Sequence, residues 1–170
     1  MKLNKNLVLV GMMGSGKSSI GKILSKKLEF EFIDTDYKIE EFENKTISEI
    51  FKKNGEKYFR KIEEEISLKF LKLNNKVIAL GGGGYVNPNI RKYTLKSCIS
   101  IWLEWKSETL LKRIKNSKKR PLAMKMSNFE LQKLIIERSS LYNLSDYKII
   151  CDKLDKKQIV EKIINYYENS

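Results

Sequence analysis

Short apolar runs alternate along this chain with longer segments in which apolar residues recur every three or four positions. The runs are rich in Val, Ile and Leu and have the length of buried strands. They cover Leu7–Val10, Phe30–Ile33, Val77–Leu80, Ile99–Leu103 and Tyr147–Cys151. Strands that alternate with helices predict an α/β fold, in which helices cover both faces of a parallel sheet.

The segments between the runs have the periodicity of amphipathic helices. They cover Lys17–Leu28, Ile47–Asn54, Glu56–Leu73, Pro88–Leu95, Glu108–Lys115, Asn128–Leu144 and Lys156–Tyr167. Capping boxes at residues 46–49 and 127–130 mark two helix starts, and Asn54-Gly55 separates two consecutive helices. No internal repeat or low-complexity linker interrupts this order. We therefore expect a single domain over residues 1–170.

The first apolar run is followed at once by GMMGSGKS, residues 11–18, which satisfies the pattern GxxxxGK[ST] in full. Glycines let successive backbone N–H groups converge on phosphate oxygens. Lys17 can then neutralise the β- and γ-phosphates, and the Ser18 hydroxyl can ligate Mg²⁺. The helix that begins here adds its positive N-terminal end. The sequence predicts a nucleoside triphosphate site; the alternative is an ordinary Gly-rich turn.

The net charge of +13 suggests either a nucleic-acid binder or an enzyme that acts on anionic small molecules. Most of the lysines are scattered along helices, as on solvated faces, and the chain lacks an aromatic-interleaved basic motif. The dense basic stretch Lys106–Lys125 could bind phosphates of either kind. The chain contains no histidine, so a general base must be a carboxylate or a lysine, and a His-ligated metal is excluded.

No segment approaches the roughly 18 consecutive apolar residues of a membrane span. The first alanine is Ala79, so the N-terminal region lacks an A-x-A cleavage site. We expect a cytoplasmic protein with no membrane partner. Cys98 and Cys151 lack CxxC spacing and are expected to be buried free thiols.

Two aspartates, Asp34 and Asp36, follow the second apolar run. Residues two apart in an extended backbone point to the same side, so both carboxylates are expected to face the crevice at the carboxyl ends of the strands. One could hold a metal ion near Ser18, and the other could accept a proton from an alcohol. The alternative is that Asp36 only caps a helix that starts near Tyr37.

Four consecutive glycines, Gly81–Gly84, follow the third run and favour a loop that a ligand approaches closely, although a plain flexible turn is the alternative. Arg60 and Arg138 each lie in a helical segment, where they can grip a carboxylate bidentately or only pair with a helical glutamate. Arg120 lies in a stretch that suits a lid over the γ-phosphate, or a solvated basic loop.

These motifs together resemble the shikimate kinases, small P-loop kinases related to the nucleoside monophosphate kinases. The resemblance covers nearly the whole chain. It is carried by GMMGSGKSSIG at 11–21, IDTD at 33–36, GEKYFRKIE at 55–63, LGGG at 80–83, RPL at 120–122 and ERSSLY at 137–142. The phosphate loop alone occurs in many NTPases, whereas the set in this order is specific to the family.

The resemblance implies a five-stranded parallel sheet of order 2-3-1-4-5, a substrate-binding region at about 34–63 and a lid at about 116–126. It implies that the chain uses Mg²⁺ and ATP to phosphorylate the 3-hydroxyl of shikimate, on the route to chorismate and aromatic amino acids. The implied nucleotide-binding residues are Gly14, Ser15, Gly16, Lys17, Ser18, Ser19, Arg113, Arg120 and Lys156. The implied shikimate-binding residues are Asp36, Arg60, Gly82, Gly83 and Arg138.

Within these sets, the family implies that Lys17, Asp36 and Arg120 are catalytic and that Ser18 and Asp34 hold the metal. The chain departs from the family at Gly84, where a small apolar residue is common, and in its lysine-rich lid and C-terminal adenine-side loop. The partners expected are ATP and shikimate, without nucleic acid, and the expected state is a monomer. The alternatives are a gluconate-type sugar-acid kinase and a non-enzymatic basic P-loop module that binds nucleic acid.

Overall fold

The computed structural model describes residues 5–116 and 126–170, and the described part forms one parallel sheet between two layers of helices. The strands are β1 (Leu7–Val10), β2 (Glu31–Asp34), β3 (Lys76–Ala79), β4 (Ile99–Glu104) and β5 (Tyr147–Ile150). The helices are α1 (Lys17–Leu28), α2 (Thr35–Glu43), α3 (Ile47–Leu71), α4 (Pro88–Ser97), α5 (Ser107–Lys115), α6 (Asn128–Tyr142) and α7 (Lys156–Glu168), and a 3₁₀ turn covers Gly84–Val86.

The sheet order is β2-β3-β1-β4-β5 and every described pair is parallel, which confirms the predicted topology. Because β1 is central, its side chains enter two cores in alternation. Val8 and Val10 pack in the core beneath α3 to α6, whereas Leu7 and Leu9 pack against α1 and α7. This burial on both faces explains why the inner strands β1, β3 and β4 form continuous apolar runs rather than alternating ones.

A third and smaller core holds α2 against α3 beside the sheet. It consists of Ile39, Ile50, Phe59, Ile62 and Ile66, all 7% exposed or less. The long helix α3 is kinked at Gly55, whose φ of 82° lies in the left-handed region that favours glycine. The predicted break at Asn54-Gly55 is therefore confirmed, as are the capping boxes at Thr46 and Ser127.

Helix α2 was not among the predicted helices and entered only through the alternative for Asp36, and it changes the geometry expected of the two aspartates. The strand ends at Asp34, which is the N-cap of α2 and accepts hydrogen bonds from the backbone N–H groups of Asp36 and Tyr37. Asp36 lies in the first helical turn. The extended-backbone argument for their common direction was therefore wrong, and so was the alternative that Asp36 is the cap.

Searched over the described ranges, no helix combines the length and apolarity needed to cross a membrane. Cys98 and Cys151 are both buried free thiols, as expected. Burial raises the pKa of Cys98 to about 11 and that of Cys151 to about 12, so both thiols are protonated at neutral pH.

Candidate active site

The phosphate loop connects β1 to α1 and borders a cavity of about 400 Å³ at the carboxyl edge of the sheet. Gly16, with a φ of 88°, is the N-cap of α1 and turns the chain into the helix. Lys17 is buried, and its ammonium donates to the carbonyl oxygens of Gly11 and Met12 at 2.7 and 3.1 Å. These contacts hold the lysine within the loop, at the wall of the cavity.

Most of the predicted nucleotide residues line this one cavity. They are Gly14, Gly16, Lys17, Ser18, Ser19 and Arg113. Ser15 is buried inside the loop, where its N–H donates to the Met12 carbonyl. Lys156 lies beside the cavity, since its ammonium donates to the Ser19 hydroxyl at 3.1 Å. Arg120 and most of the predicted lid lie outside the described residues.

Asp34 and Asp36 line the same cavity, by a route other than the one predicted. The two oxygens of Asp34 have separate partners: Oδ1 caps α2, and Oδ2 accepts the Ser18 hydroxyl at 2.5 Å. Thr35 is fully buried between them, and its hydroxyl donates to Ala79 and accepts the N–H of Gly81. These bonds fix the start of α2 against the end of β3, so both carboxylates face the cavity.

The glycine loop makes room for a functional side chain at its first and third positions, and at its second a Cβ would lie 3.2 Å from the Met13 backbone nitrogen of the phosphate loop. A Cβ on Gly81 would overlap the Asp36 carboxylate, and one on Gly83 would overlap the Arg60 guanidinium. A Cβ on Gly82 would lie 3.5 Å from the nearer guanidinium nitrogen of Arg138. The glycine loop therefore lies close to these side chains and to the phosphate loop, and the close approach of a ligand stays a prediction.

Gly84 differs from the other three, since a Cβ there would meet its nearest neighbour at an ordinary 3.7 Å. It begins the 3₁₀ turn and has no left-handed φ among the described positive values. The space around Gly84 would accommodate the small apolar residue that is common here in the family that the sequence resembles.

Arg60 and Arg138 approach the glycine loop from two different helices, α3 and α6. Arg60 donates to Glu63 at 2.7 Å and to the exposed Glu56 at 3.2 Å. Arg138 lies 3.9 Å from the Met12 sulfur, next to the phosphate loop. The predicted alternative, a pairing of arginine with helical glutamate, is therefore real for Arg60, yet this pairing aims the side chain at the loop.

Glu63 is the last residue of the segment GEKYFRKIE at 55–63, but it was not singled out from the sequence. Glu63 is 2% exposed. Burial raises the pKa of its carboxyl, and this effect outweighs the positive charges of Arg60 and Arg138, which act to lower the pKa. Burial would lower the pKa of Arg60, but the Glu63 carboxylate outweighs burial and the pKa is raised. Exposure explains why burial dominates the pKa of Glu63 and not that of Arg60: 35% of the Arg60 side chain is exposed, and only 3% of the Glu63 side chain.

Tyr142 contacts the glycine loop at its second residue. Its hydroxyl donates to the Gly82 carbonyl. Burial raises the pKa of Tyr142 to about 12, although Arg138 lowers it, so the hydroxyl remains a donor across the working pH range. The tyrosine belongs to the ERSSLY segment, but no spacing rule pointed to its partner 60 residues away in the chain.

This site joins a phosphate-binding cavity that includes Asp36 and Gly82 to a glycine loop whose neighbours are Arg60 and Arg138, at the topological switch point of a parallel sheet. Arg60, Arg138 and Gly83 lie beside this cavity and are not part of its lining. The fold and the site together define a small-molecule kinase of the P-loop class.

Comparison with known proteins narrows this class to one family. A family model described as shikimate kinase matches residues 13–168. A shikimate kinase of Persephonella marina is 40% identical over 161 residues, which cover 94% of this chain and 97% of that protein. One of Caldanaerobacter subterraneus is 38% identical over 164 residues, or 96% of each chain. The chain belongs to the shikimate kinase family.

The solved structures agree with the sequence relatives. The structure of a shikimate kinase from Acinetobacter baumannii in complex with shikimate matches with a TM-score of 0.92 and 30% identity, over 99% of this chain and 95% of that one. The predicted family and the predicted fold are both confirmed.

Proposed function

We propose that this protein transfers the γ-phosphoryl group of ATP to the 3-hydroxyl of shikimate, giving ADP and shikimate 3-phosphate. The observation that carries the proposal is the glycine loop, which seats Asp36, Arg138 and Arg60 in a row beside the phosphate loop. A carboxylate acceptor with several hydroxyls suits this row, because the arginines match its charged end and the aspartate matches its hydroxyls.

In the acceptor pocket, Arg60 and Arg138 hold the shikimate carboxylate, and the backbone of Gly82 and Gly83 provides the floor. The carboxylate of Glu63 accepts a hydrogen bond from Arg60 and keeps the guanidinium directed at the glycine loop. Asp36 accepts a hydrogen bond from the 3-hydroxyl and orients its oxygen toward the γ-phosphorus. The acceptor is thereby held at both ends, so that one hydroxyl is presented for transfer.

The transfer step makes one bond and breaks one bond. The 3-hydroxyl oxygen attacks the γ-phosphorus, the bond between that phosphorus and the β–γ bridging oxygen breaks, and ADP leaves. Asp36 takes the hydroxyl proton. Lys17, at the cavity wall, neutralises the charge that spreads over the phosphoryl oxygens, and we assign the same role to Arg120.

The residues around Ser18 fit Mg²⁺. The hydroxyl of Ser18 and the carboxylate of Asp34 lie together at the cavity, 2.5 Å apart, and both are hard oxygen ligands. Among the described residues there is no group of three or more His, Cys, Asp or Glu side chains for a metal, which suits an ion that takes few protein ligands and several from phosphates and water. The ion would supply charge neutralisation for the phosphates.

Arg113 and Lys156 contact the phosphate loop and the first turn of α1, respectively, and are assigned to the nucleotide. Arg113 donates to the Gly14 carbonyl at 3.3 Å, and Lys156 donates to Ser19. We place the adenine beside Arg113. We further expect the protein to act in the cytoplasm and as a monomer. Sedimentation of the purified enzyme tests the monomeric state.

A coupled assay of ADP release tests the proposal against its alternatives. Shikimate should support turnover, whereas gluconate and a short RNA should not. Turnover with gluconate alone would favour the sugar-acid kinase, and ATP hydrolysis stimulated by RNA would favour the nucleic-acid module.

The acceptor's charged end is tested by arginine-to-lysine variants. Lysine keeps the charge but cannot form the bidentate fork. Arg60→Lys and Arg138→Lys should each raise the shikimate KM by about one to two orders of magnitude with little change in the ATP KM. A shikimate analogue without its carboxylate should bind the wild type much more weakly than shikimate does. In these variants the difference in affinity between the analogue and shikimate should be much smaller. Equal binding of the analogue and shikimate to the wild type would overturn the assignment.

A further inference from the structure

Trp105 connects two parts of the nucleotide site although no motif includes it. It directly follows β4, and its indole N–H donates to the Ser15 carbonyl of the phosphate loop at 2.9 Å. The Arg113 guanidinium carbon lies 3.7 Å from the centre of its ring, and Arg113 donates to the neighbouring Gly14 carbonyl. One side chain therefore contacts the phosphate loop and the arginine of α5 at once.

We propose that Trp105 is a positioning residue for the nucleotide: its N–H holds the phosphate loop in the phosphate-binding conformation, and its ring holds the Arg113 guanidinium flat for the base to stack on. The inference rests on the nucleotide site of the proposed function.

The first part follows from the geometry of a peptide unit. In a trans peptide the carbonyl oxygen and the next N–H point in opposite directions from one rigid plane. Because Trp105 holds the Ser15 carbonyl, the N–H of Gly16 is directed away from the indole. Gly16 lines the cavity, and Ser15 is only 1% exposed. The hydrogen bond thus preorients a backbone N–H at the position where phosphates bind.

The second part follows from the shape of the guanidinium group. A separation of 3.7 Å is a stacking distance, well inside the range of cation–π contacts. A planar guanidinium has two faces, and Trp105 covers one. Arg113 is exposed and lines the cavity, so its second face is available to a ligand there. Nucleobases stack on arginine planes, so the geometry favours the order indole, guanidinium, base.

The two parts are separable, because one needs the indole N–H and the other needs an aromatic face. Trp105→Phe removes the N–H and keeps a ring, whereas Trp105→Leu removes both. Tripolyphosphate offers the phosphates without a base, so it reports on the loop alone. ADP offers both groups. Titration calorimetry of each probe in the presence of Mg²⁺ therefore assigns each loss to one contact.

In Trp105→Phe, the Kd of ADP and that of tripolyphosphate should both rise about fivefold, the usual worth of one hydrogen bond. In Trp105→Leu, the Kd of tripolyphosphate should rise by the same factor, while that of ADP should rise a further threefold to tenfold. Shikimate affinity should stay within about twofold in both variants, which would show that they are folded, since Trp105 contacts the phosphate loop and Arg113 whereas Asp36, Arg60 and Arg138 adjoin the glycine loop.

Fluorescence provides a second readout, because the chain has two tryptophans. Trp102 is buried in β4 at 5% exposure, whereas Trp105 stacks on the guanidinium that is proposed to hold the base. A bound base should therefore change the emission of Trp105. ADP should shift the emission of the wild type and of Trp102→Phe, but not that of Trp105→Phe. A full ADP signal in Trp105→Phe would overturn the stack.

The binding results distinguish the failures. Unchanged binding of both probes by Trp105→Phe would refute the loop contact. Equal losses for ADP and tripolyphosphate in Trp105→Leu would refute the stack. A wild type that binds neither probe would contradict the nucleotide site itself, and with it the proposed function.

Discussion

Replacing Glu63 with glutamine removes one buried charge from beneath the glycine loop and leaves the shape of the side chain almost unchanged. Glu63 accepts a hydrogen bond from Arg60 at 2.7 Å and is 2% exposed. Arg60 has a second carboxylate partner, Glu56, on the solvent side. Without the charge of Glu63, we expect Arg60 to turn toward Glu56 and away from the bound acceptor.

The structure sets the size of this effect. A hydrogen bond to a charged group contributes about 1.5–3 kcal/mol. The lower end applies here, because 35% of the Arg60 side chain is exposed and Glu56 offers a partial replacement. About 1.4 kcal/mol corresponds to a factor of ten. We therefore expect Glu63→Gln to raise the shikimate KM about tenfold.

The assay is steady-state ADP release with shikimate and ATP varied in turn. The ATP KM should stay within about twofold, since the nucleotide cavity does not include Glu63. Glu56→Gln is the matched control. It makes the same chemical change next to the same arginine, but the Glu56 side chain is 68% exposed, and its effect should be below about twofold.

The pH dependence gives a second test of the same contact. Burial raises the pKa of Glu63 above its ordinary 4.5, so the folded state favours the protonated form. Stability from this group is full below the unfolded pKa and is lost as the pH rises through the folded one. As the pH falls, wild type should therefore gain stability relative to Glu63→Gln, while its shikimate KM rises toward that of the variant. The substrate carboxylate titrates equally in both proteins.

Equal effects of Glu63→Gln and Glu56→Gln on the shikimate KM would refute this reasoning. So would a shikimate KM ratio between variant and wild type that stays constant from neutral pH down to 4.5, where a pKa raised above this value leaves more than half of Glu63 protonated.

Three further substitutions test the remaining parts of the site. Lys17→Ala should lower kcat by about 10²-fold or more, because it removes a charge that stabilises the transferring phosphoryl group. Asp36→Asn should abolish turnover with nucleotide binding nearly intact, whereas Asp34→Asn should raise the Mg²⁺ concentration needed for half-maximal rate. Gly83→Ala should displace the arginine that its Cβ would overlap and raise the shikimate KM, whereas Gly84→Ala, with room for a methyl group, should not.

Each of these is measured by steady-state kinetics, with nucleotide binding followed by calorimetry. Wild-type turnover in Lys17→Ala would contradict the phosphate-loop assignment. Identical magnesium titrations of the two aspartate variants would contradict the division of their roles. Asparagine also caps helices well, so Asp34→Asn tests the charge and leaves the start of α2 in place.

The strands and most helices were predictable because their sequence patterns follow directly from burial. A buried parallel strand must be apolar at every position, as in β1, and a capped helix carries its own start signal. Helix α2 gave no such signal, because among its apolar residues only Ile39 is fully buried and its N-cap is the last residue of a strand. Its polar composition resembles a loop.

The site was predictable as a set of residues but not as a set of contacts. Glu63, Glu64 and Glu65 are consecutive, and the sequence does not distinguish them. Tertiary packing buries the first and leaves the third exposed. The bond from Trp105 to Ser15 spans 90 positions, and only the fold brings these residues together. Contacts of this range depend on the sheet order, which no local pattern contains.

The separate core beneath the acceptor helices has a consequence for how such an enzyme changes over evolution. Ile39, Ile50 and Phe59 belong to a cluster separate from the two sheet cores, and they hold α2 against the helix that carries Arg60. Mutations in this core can reshape the acceptor pocket while the two sheet cores continue to hold the phosphate loop. Selection can therefore exchange the molecule that receives the phosphoryl group without rebuilding the machinery that delivers it.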